Sequence, residues 1–404
     1  MANAPVMRCI NDALPAEVLG VIFEEHAKSE WRAPLIDGQV CRQWQQTILR
    51  SPRAWAHLDI SKIFKLAPSQ LRQWLDRSGS APLHIQATDW VQGEKEVLNQ
   101  HYKRIESIET IGYSTNLALF ENQSFPLLQS LTIRGTPGDT KMVRWSTFHA
   151  MPELRSLRAT FISVNSLPLN TFPPLKDLAL YAVKDCDCVI QHSYHSLTSL
   201  MLGSISLQYS SGSLEFPSLR FLSLFSVQNF KHRVNVPALT TYHESGGVEG
   251  ESFSNPLPSL IEYGIYRLKM GPPLNATKVH QRYPSISRLS VRASPSNVKL
   301  FLRSLRGQPT ALPMLTILAV ETLYDLTTYS EEDKYSMRND VFVRNLASSV
   351  KMELCFDGKV QVPLYFGNVR VCINEGRSEL TSTFRIRMSL IENLSYILGL
   401  WLSY

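Results

Sequence analysis

The chain has 404 residues, with 41 Lys and Arg against 35 Asp and Glu, a formal net charge of +6, and 44% hydrophobic but only 19% charged residues. A charged fraction below the usual ~25% excludes a disordered chain, and scattered rather than clustered Lys and Arg give no reason to expect nucleic acid as a partner. At about 150 residues per domain the length predicts two to three domains.

Six cysteines, Cys9, Cys41, Cys186, Cys188, Cys355 and Cys372, are too few and too irregular for a disulfide framework. Residues 1–8 lack a charged region followed by an apolar stretch, so a reducing, intracellular setting, cytoplasmic or nuclear, is expected. In that setting the sequons at Asn122, Asn275 and Asn393 carry no weight. The apolar run from Met388 to Tyr404 is interrupted by Glu392 and Asn393. It is short of the ~20 residues of a membrane span, and a packed terminal element is expected, with no membrane partner.

Leu14-Pro15-Ala16-Glu17 followed by Val18, Leu19, Ile22 and Phe23 predicts a helix that fades near Lys28. Pro at the first helical position loses no needed N–H, Glu17 faces the positive end of the dipole, and the i,i+4 pairs make an apolar stripe. Val40, Cys41, Trp44 and Ile48 predict a second amphipathic helix that stops before Pro52. Ser51 is placed to cap a third, with Trp55 and Leu58 on one face. Three short helices with this many large apolar groups suggest a surface completed by a partner chain.

These three segments, Leu14-Pro15-x-Glu17-Val18-Leu19-x-x-Ile22-Phe23, Val40-Cys41-Arg42-x-Trp44 and Ser51-Pro52-Arg53-x-Trp55-x-x-Leu58, resemble in order and spacing the F-box domain of fungal F-box proteins. The resemblance covers roughly residues 10–60. It implies docking on a Skp-type adaptor, and through it on cullin and RING subunits of a ubiquitin ligase. The residues it would assign to that contact are Leu14, Pro15, Leu19, Ile22, Phe23, Val40, Cys41 and Trp44. Asp37 departs from the pattern, standing where that family usually has an apolar or small residue, and the stretch from Lys28 to Pro34 is longer and more polar than a tight connection needs. Without a partner, the same helices would be a plain cap on the repeat domain. Cys41, although beside Arg42, lies in the apolar stripe and reads as a small buried hydrophobe.

After an amphipathic helix at Ser69–Arg77 the chain takes up a phrase, Pro-x-Leu-x-x-Leu-x-apolar, clearest at Pro126, Pro173, Pro217 and Pro313. Ten copies starting between Lys103 and Pro313 recur about every 23 residues, within the 20–29 range of leucine-rich repeats. Each predicts a short strand whose fifth and seventh positions after the Pro face inward. The slot beyond the strand that commonly holds Asn holds Ile162, Val183, Ile205, Val227, Leu268 and Leu323 instead. The likeness is therefore to a degenerate leucine-rich repeat without an Asn ladder.

Stacked strands would align the remaining positions in outward columns. The candidate target-binding residues there are Tyr181, Met201, Phe221, Phe225, His243, Tyr266, Arg288 and Arg292, an aromatic centre with a basic end. After Leu326 the phrase is lost, and strand-like runs are expected at Val350–Phe356, Lys359–Phe366, Arg370–Ile373 and Thr383–Ser389.

No phosphate loop, dinucleotide fingerprint, nucleophile elbow or zincin motif occurs. Cys186, Cys188, His192 and His195 are ligand types that suit zinc, but their spacing is not a finger's, and no metal or cofactor is assigned. The expected fold class is α+β: a small three-helix F-box domain (10–60), a linker with an amphipathic helix (61–100), a leucine-rich-repeat-like solenoid (101–326) and a cap or irregular repeats (327–404). The expected function is non-enzymatic, the substrate-recognition subunit of a Skp-cullin-F-box ligase with an unknown target protein. The alternative is a repeat scaffold that binds its partner independently of ubiquitin.

Overall fold

The computed structural model describes residues 14–60, 68–88, 96–111, 123–135, 141–144, 151–165, 172–207, 214–227, 230, 234–245, 253, 257–266, 275–293, 295–308, 311–321, 353–356 and 359–360. The chain divides into two compact units, residues 1–197 with 201–210 and residues 198–200 with 211–404. The architecture is α+β: short N-terminal helices packed together, then a parallel β-solenoid with little helix. The strand-like runs expected at 370–373 and 383–389, and the apolar run at 388–404, lie outside the described residues.

In the first unit, α1 (Ala16–Ser29) starts where the Pro15 carbonyl accepts from the Leu19 N–H at 3.1 Å. Glu17 in its first turn and His26 and Lys28 in its last suit the helix dipole. The stretch expected to be a connection contains a helix of its own, α2 (Ala33–Asp37), with Pro34 in its first turn. α3 (Arg42–Leu49) is followed by a 3-10 turn, Pro52–Trp55, and later by α4 (Pro68–Arg77). Ser51 makes no side-chain cap, contrary to expectation; its hydroxyl donates instead to the Thr47 carbonyl at 2.8 Å, closing α3.

Leu19, Phe23 and Ala27 form the inward stripe of α1, at 0–1% exposure. The Phe23 ring meets Trp44 edge-on at 5.1 Å. Trp55 donates its indole N–H to the Ile48 carbonyl at 2.9 Å, packs 4.8 Å from Trp74, and carries the Arg77 guanidinium 4.5 Å above its ring. Trp31 lies 5.4 Å from Trp74 on another side. Indoles carry a large apolar payload each, so this cluster supplies the helices with an aromatic core.

The strands of this unit are β1 (His57–Asp59), β2 (Leu83–Ala87), β3 (Ile105–Ile111), β4 (Ser130–Arg134), β5 (Lys141–Arg144), β6 (Ser156–Thr160), β7 (Ile162–Asn165) and β8 (Asp177–Tyr181). The parallel order is β1-β2-β3-β4-β6-β8, with β5 and β7 forming a separate parallel pair. Ile108, Leu131, Leu157 and Leu178 are register partners along one inward row. Thr110, Ile133, Ala159 and Leu180 follow along the next, and all eight are at most 4% exposed. These are the fifth and seventh positions of the phrase. Leu58 lies on β1, not on a helical face shared with Trp55, and the ladder already runs through β1 and β2 before the first copy of the phrase.

α5 (Asp187–Ser193) and β9 (Ser199–Gly203) come next in the chain. The second unit continues with β10 (Leu214–Glu215), β11 (Phe221–Phe225), β12 (Val234–Asn235), β13 (Thr241–Ser245), β14 (Glu262–Tyr266), α6 (Ala276–Arg282), β15 (Arg288–Arg292), α7 (Pro295–Gly307), β16 (Ile317–Glu321), β17 (Glu353–Phe356) and β18 (Lys359–Val360). Here β11-β13-β14-β15-β16-β17 run parallel, and β18 returns antiparallel on β17. The inward rows are Leu222, Tyr242, Tyr263, Leu289, Leu318 and Leu224, Glu244, Ile265, Val291.

What stands in for an Asn ladder is a backbone device. The residue just past the strand has positive φ in four repeats: Phe161 (53°), Ala182 (50°), Ser204 (50°) and Ser226 (52°). Left-handed backbone costs a non-glycine residue about 1–2 kcal/mol and persists only where neighbours fix it. The fixing contacts are N–H bonds to the next turn, Phe161 to the Tyr181 carbonyl at 3.0 Å and Ala182 to the Gly203 carbonyl at 2.8 Å. The following residues, Ile162, Val183 and Ile205, are thereby turned inward and are 3–4% exposed.

One of these inward positions holds a charged side chain. Glu244, 2% exposed, accepts hydrogen bonds from the Tyr242 phenol at 2.9 Å and from the Tyr263 phenol. Burial, and next the Glu244 charge, push both phenols well above their ordinary range, so they remain donors. Removing a buried acceptor leaves its donors unsatisfied, whereas removing all partners together can be nearly neutral. Glu244→Ala is therefore expected to lower the unfolding free energy by about 3 kcal/mol, with most of that recovered in the triple variant Glu244→Leu, Tyr242→Phe, Tyr263→Phe. Urea unfolding of the three proteins checks this, and equal losses in the single and triple variants would contradict it.

Candidate functional site

Two surfaces are expected to bind: the first helices and the outward rows of the strands. On α1 a second stripe, beside the one that faces the core, is also apolar. Val18 is 43% exposed, Val21 59% and Ile22 43%, and these lie within one i,i+3,i+4 set. Leu35 and Ile36 on α2, which packs against α1, are 41% and 47% exposed, and Val40 beyond it 54%. Among the described residues eleven large apolar side chains are exposed, and seven of them fall between Val18 and Leu49. Exposed apolar residues scattered singly are ordinary, and this concentration makes the segment the candidate docking surface.

Of the residues the F-box likeness would assign to the adaptor, Pro15, Ile22 and Val40 are exposed, and Leu14, Cys41 and Trp44 are half-buried. Leu19 and Phe23 lie at 0% exposure inside the helical core and present nothing to a partner. Val21, Leu35 and Ile36 belong to the exposed face, and the sequence pattern does not single them out. α1 has two apolar stripes about 100° apart, and the i,i+4 pairs Val18/Ile22 and Leu19/Phe23 fall on different ones.

The strand rows differ from a simple outward comb. In the second unit Phe221, Thr241, Glu262, Arg288 and Ile317 are register partners, and so are Ser223, His243, Gly264, Ser290 and Ala319. His243 is only 4% exposed because its ring lies over Gly264 on the next strand, where an added Cβ would meet the imidazole Cδ2 at 2.4 Å. Tyr181 does the same in the first unit, 8% exposed with its ring over Gly203. Neither ring stands free to contact a partner through its face. Met201, Phe221, Phe225 and Arg288 are half-exposed, and the side chains of Tyr266 and Arg292 lie outside the described ones.

Around His243 a small polar group forms. Its Nε2 lies 3.4 Å from a Glu262 carboxylate oxygen, and Phe221 meets the ring edge-on at 5.3 Å. Burial would raise the Glu262 carboxyl, but the hydrogen bond with His243 and the charges of His243 and Arg288 together carry it below its usual range. In the first unit Glu109 pairs with Arg134 at 2.7 Å. His57 on β1 and His84 on β2 stack with centroids 4.5 Å apart and planes at 7°, and His84 Nδ1 is 2.9 Å from the Ser107 hydroxyl. Burial, then the facing His84, lowers His57 to about 4; burial also lowers His84, against the opposing charge of Glu106.

The four zinc-type donors do not converge. Cys186 is buried, its thiol pushed up to about 12 by burial and next by Asp187; Cys188 is half-buried; His192 Nδ1 is 2.8 Å from the Cys188 carbonyl; His195 is exposed beside Tyr194. Among the described residues no group of three or more His, Cys, Asp or Glu could hold a metal ion, and no helix is long and apolar enough to cross a membrane. No protein-family model and no curated protein matches the chain.

Gly264→Ala must displace the His243 ring, and is expected to cost about 2 kcal/mol in urea unfolding. The cost should largely vanish in a His243→Ala background, where there is no ring to move; a cost that persists there would place the clash elsewhere. The His57–His84 stack gives a pH dependence of definite sign. Both imidazoles are held neutral in the fold while the unfolded chain takes up protons near pH 6.5, so stability is full above 6.5 and falls as pH drops toward 4. Replacing His57 by Phe and His84 by Gln is expected to flatten the thermal midpoint across that window, and an unchanged slope would assign the pH dependence to other groups.

Proposed function

We propose that this chain is the substrate-recognition subunit of a Skp-cullin-F-box ubiquitin ligase. The supporting observation is the coincidence of two features in one segment. The helices whose sequence resembles the F-box are also where exposed large apolar side chains concentrate. On this reading the apolar face of α1 and α2 docks on a Skp-type adaptor by burial, and the solenoid holds a target protein on its strand rows. The chain catalyses nothing itself. It raises the effective concentration of the target beside the ubiquitin-loaded enzyme, which is how tethering accelerates transfer without new chemistry. A ubiquitin-independent repeat scaffold is the competing reading, and it differs in leaving the helical face without an adaptor.

The test must charge the exposed face without touching the core. Leu19 is unsuitable, because an Asp there would enter a fully buried site, and deletion of residues 1–60 would strip β1 from β2. Val21→Asp with Ile22→Asp is suitable, since both side chains are 43% exposed or more. Coexpressed with a fungal Skp-type adaptor, the wild-type chain is expected to elute as a one-to-one complex. The double variant is expected to bind at least thirtyfold more weakly, about 2 kcal/mol, with its unfolding temperature unchanged. A folded wild-type chain that elutes alone would favour the scaffold.

A further inference from the structure

We propose that the His26–Asp37 pair is the positioning element of the docking face, an inference that rests on the adaptor reading above. Asp37 is the residue at which the chain departs from the family pattern, and the structure gives it a partner. Its carboxylate oxygens lie 2.9 and 3.2 Å from Nδ1 of His26, so one ring nitrogen spans both. Asp37 ends α2 and is 7% exposed; His26 sits in the last turn of α1. The bond therefore ties the end of one helix to the end of the other.

The tie matters because α2 has five residues, too few to hold a helix on its own. Its inward side is Ala33, Pro34 and Asp37, while Leu35 and Ile36 point outward at 41% and 47% exposure. Ala33 is small and Pro34 rigid, so Asp37 supplies the long-range polar contact that fixes how far α2 can rotate about its axis. A rotation of one residue, about 100°, would change which of Leu35, Ile36 and Asp37 face outward. Asp37 is also followed by Val40, 54% exposed, whose N–H bonds the Asp37 carbonyl at 3.1 Å. The clasp thus sets three of the six exposed apolar groups of the α1–α2 face against the other three. His26 and Asp37 touch no adaptor on this account; they act through Leu35, Ile36 and Val40.

The experiment uses the full chain, a Skp-type adaptor and four variants: Asp37→Ala, His26→Ala, the double variant, and Asp37→Asn, which keeps an oxygen to accept from His26 Nδ1–H. Adaptor affinity by calorimetry is expected to fall about tenfold in each Ala variant. The double variant should lose no more than either alone, since one bond is broken in all three. Asp37→Asn should bind within about threefold of wild type, and the chain's unfolding temperature should stay put throughout. Amide hydrogen exchange, read without adaptor, should quicken at residues 33–40 in Asp37→Ala and nowhere else. Wild-type affinity in Asp37→Ala, additive losses in the double variant, or unaltered exchange at 33–40 would each overturn the clasp while leaving the docking reading intact. A wild-type chain that binds no adaptor would overturn both.

Discussion

Parallel register is the constraint on which the rest of this molecule depends. A single five-residue strand cannot bury its apolar side alone; it does so only when the same positions of its neighbours lie directly beside it. Each step of the ladder joins the fifth and seventh positions of one phrase to those of the next, Leu131 to Leu157 to Leu178 in one unit and Leu222 to Tyr242 to Tyr263 in the other. A slip of one residue would send these side chains to the solvent face and bring Arg158 or Glu262 inward. The core of every turn is therefore a property of the pair, and a buried charge is accommodated where neighbours answer it. Glu244 is answered by Tyr242 on its own strand and Tyr263 on the next.

The same logic explains how the turns close without an Asn ladder. The left-handed residue after the strand is not chosen for its side chain, since Phe, Ala and Ser all occupy it. Its geometry is set by the N–H bond to the following turn, and its consequence is that an aliphatic residue such as Ile162 or Val183 enters the core. After β6 and β8 the turn is held by a backbone bond and by one more buried apolar group.

This division decides what can be read from the chain alone. The phrase is legible because it repeats: the inward positions are marked by Leu, Ile and Val in copy after copy, and helices such as Ala16–Ser29 and Pro68–Arg77 are marked by their stripes. Whether an outward aromatic stands up or lies down is not legible within its own copy. His243 and Tyr181 lie flat because Gly264 and Gly203, about twenty residues further on, leave room for them. The information is present in the sequence, but only once register says which residue is the neighbour. α2 escapes a reading of the chain for a related reason: its polar Asp37 looks misplaced until His26, eleven residues earlier, is seen beside it.

The helical segment carries the same logic to function. Its core is built from the inner side: Leu19, Phe23 and Ala27 are buried on α1, and Trp31 and Trp55 both pack on Trp74. Val18, Val21, Ile22, Leu35 and Ile36 each keep 41–59% of their surface in water, at about 25 cal/mol per Å² of apolar area. A fold with no partner could place polar residues there with no loss of packing. On the adaptor reading proposed above the partner covers these apolar groups, and it needs α2 held in one orientation. That requirement falls hardest on the five residues of α2, the element least able to orient itself, and it is there that the chain places a buried carboxylate with a histidine across from it.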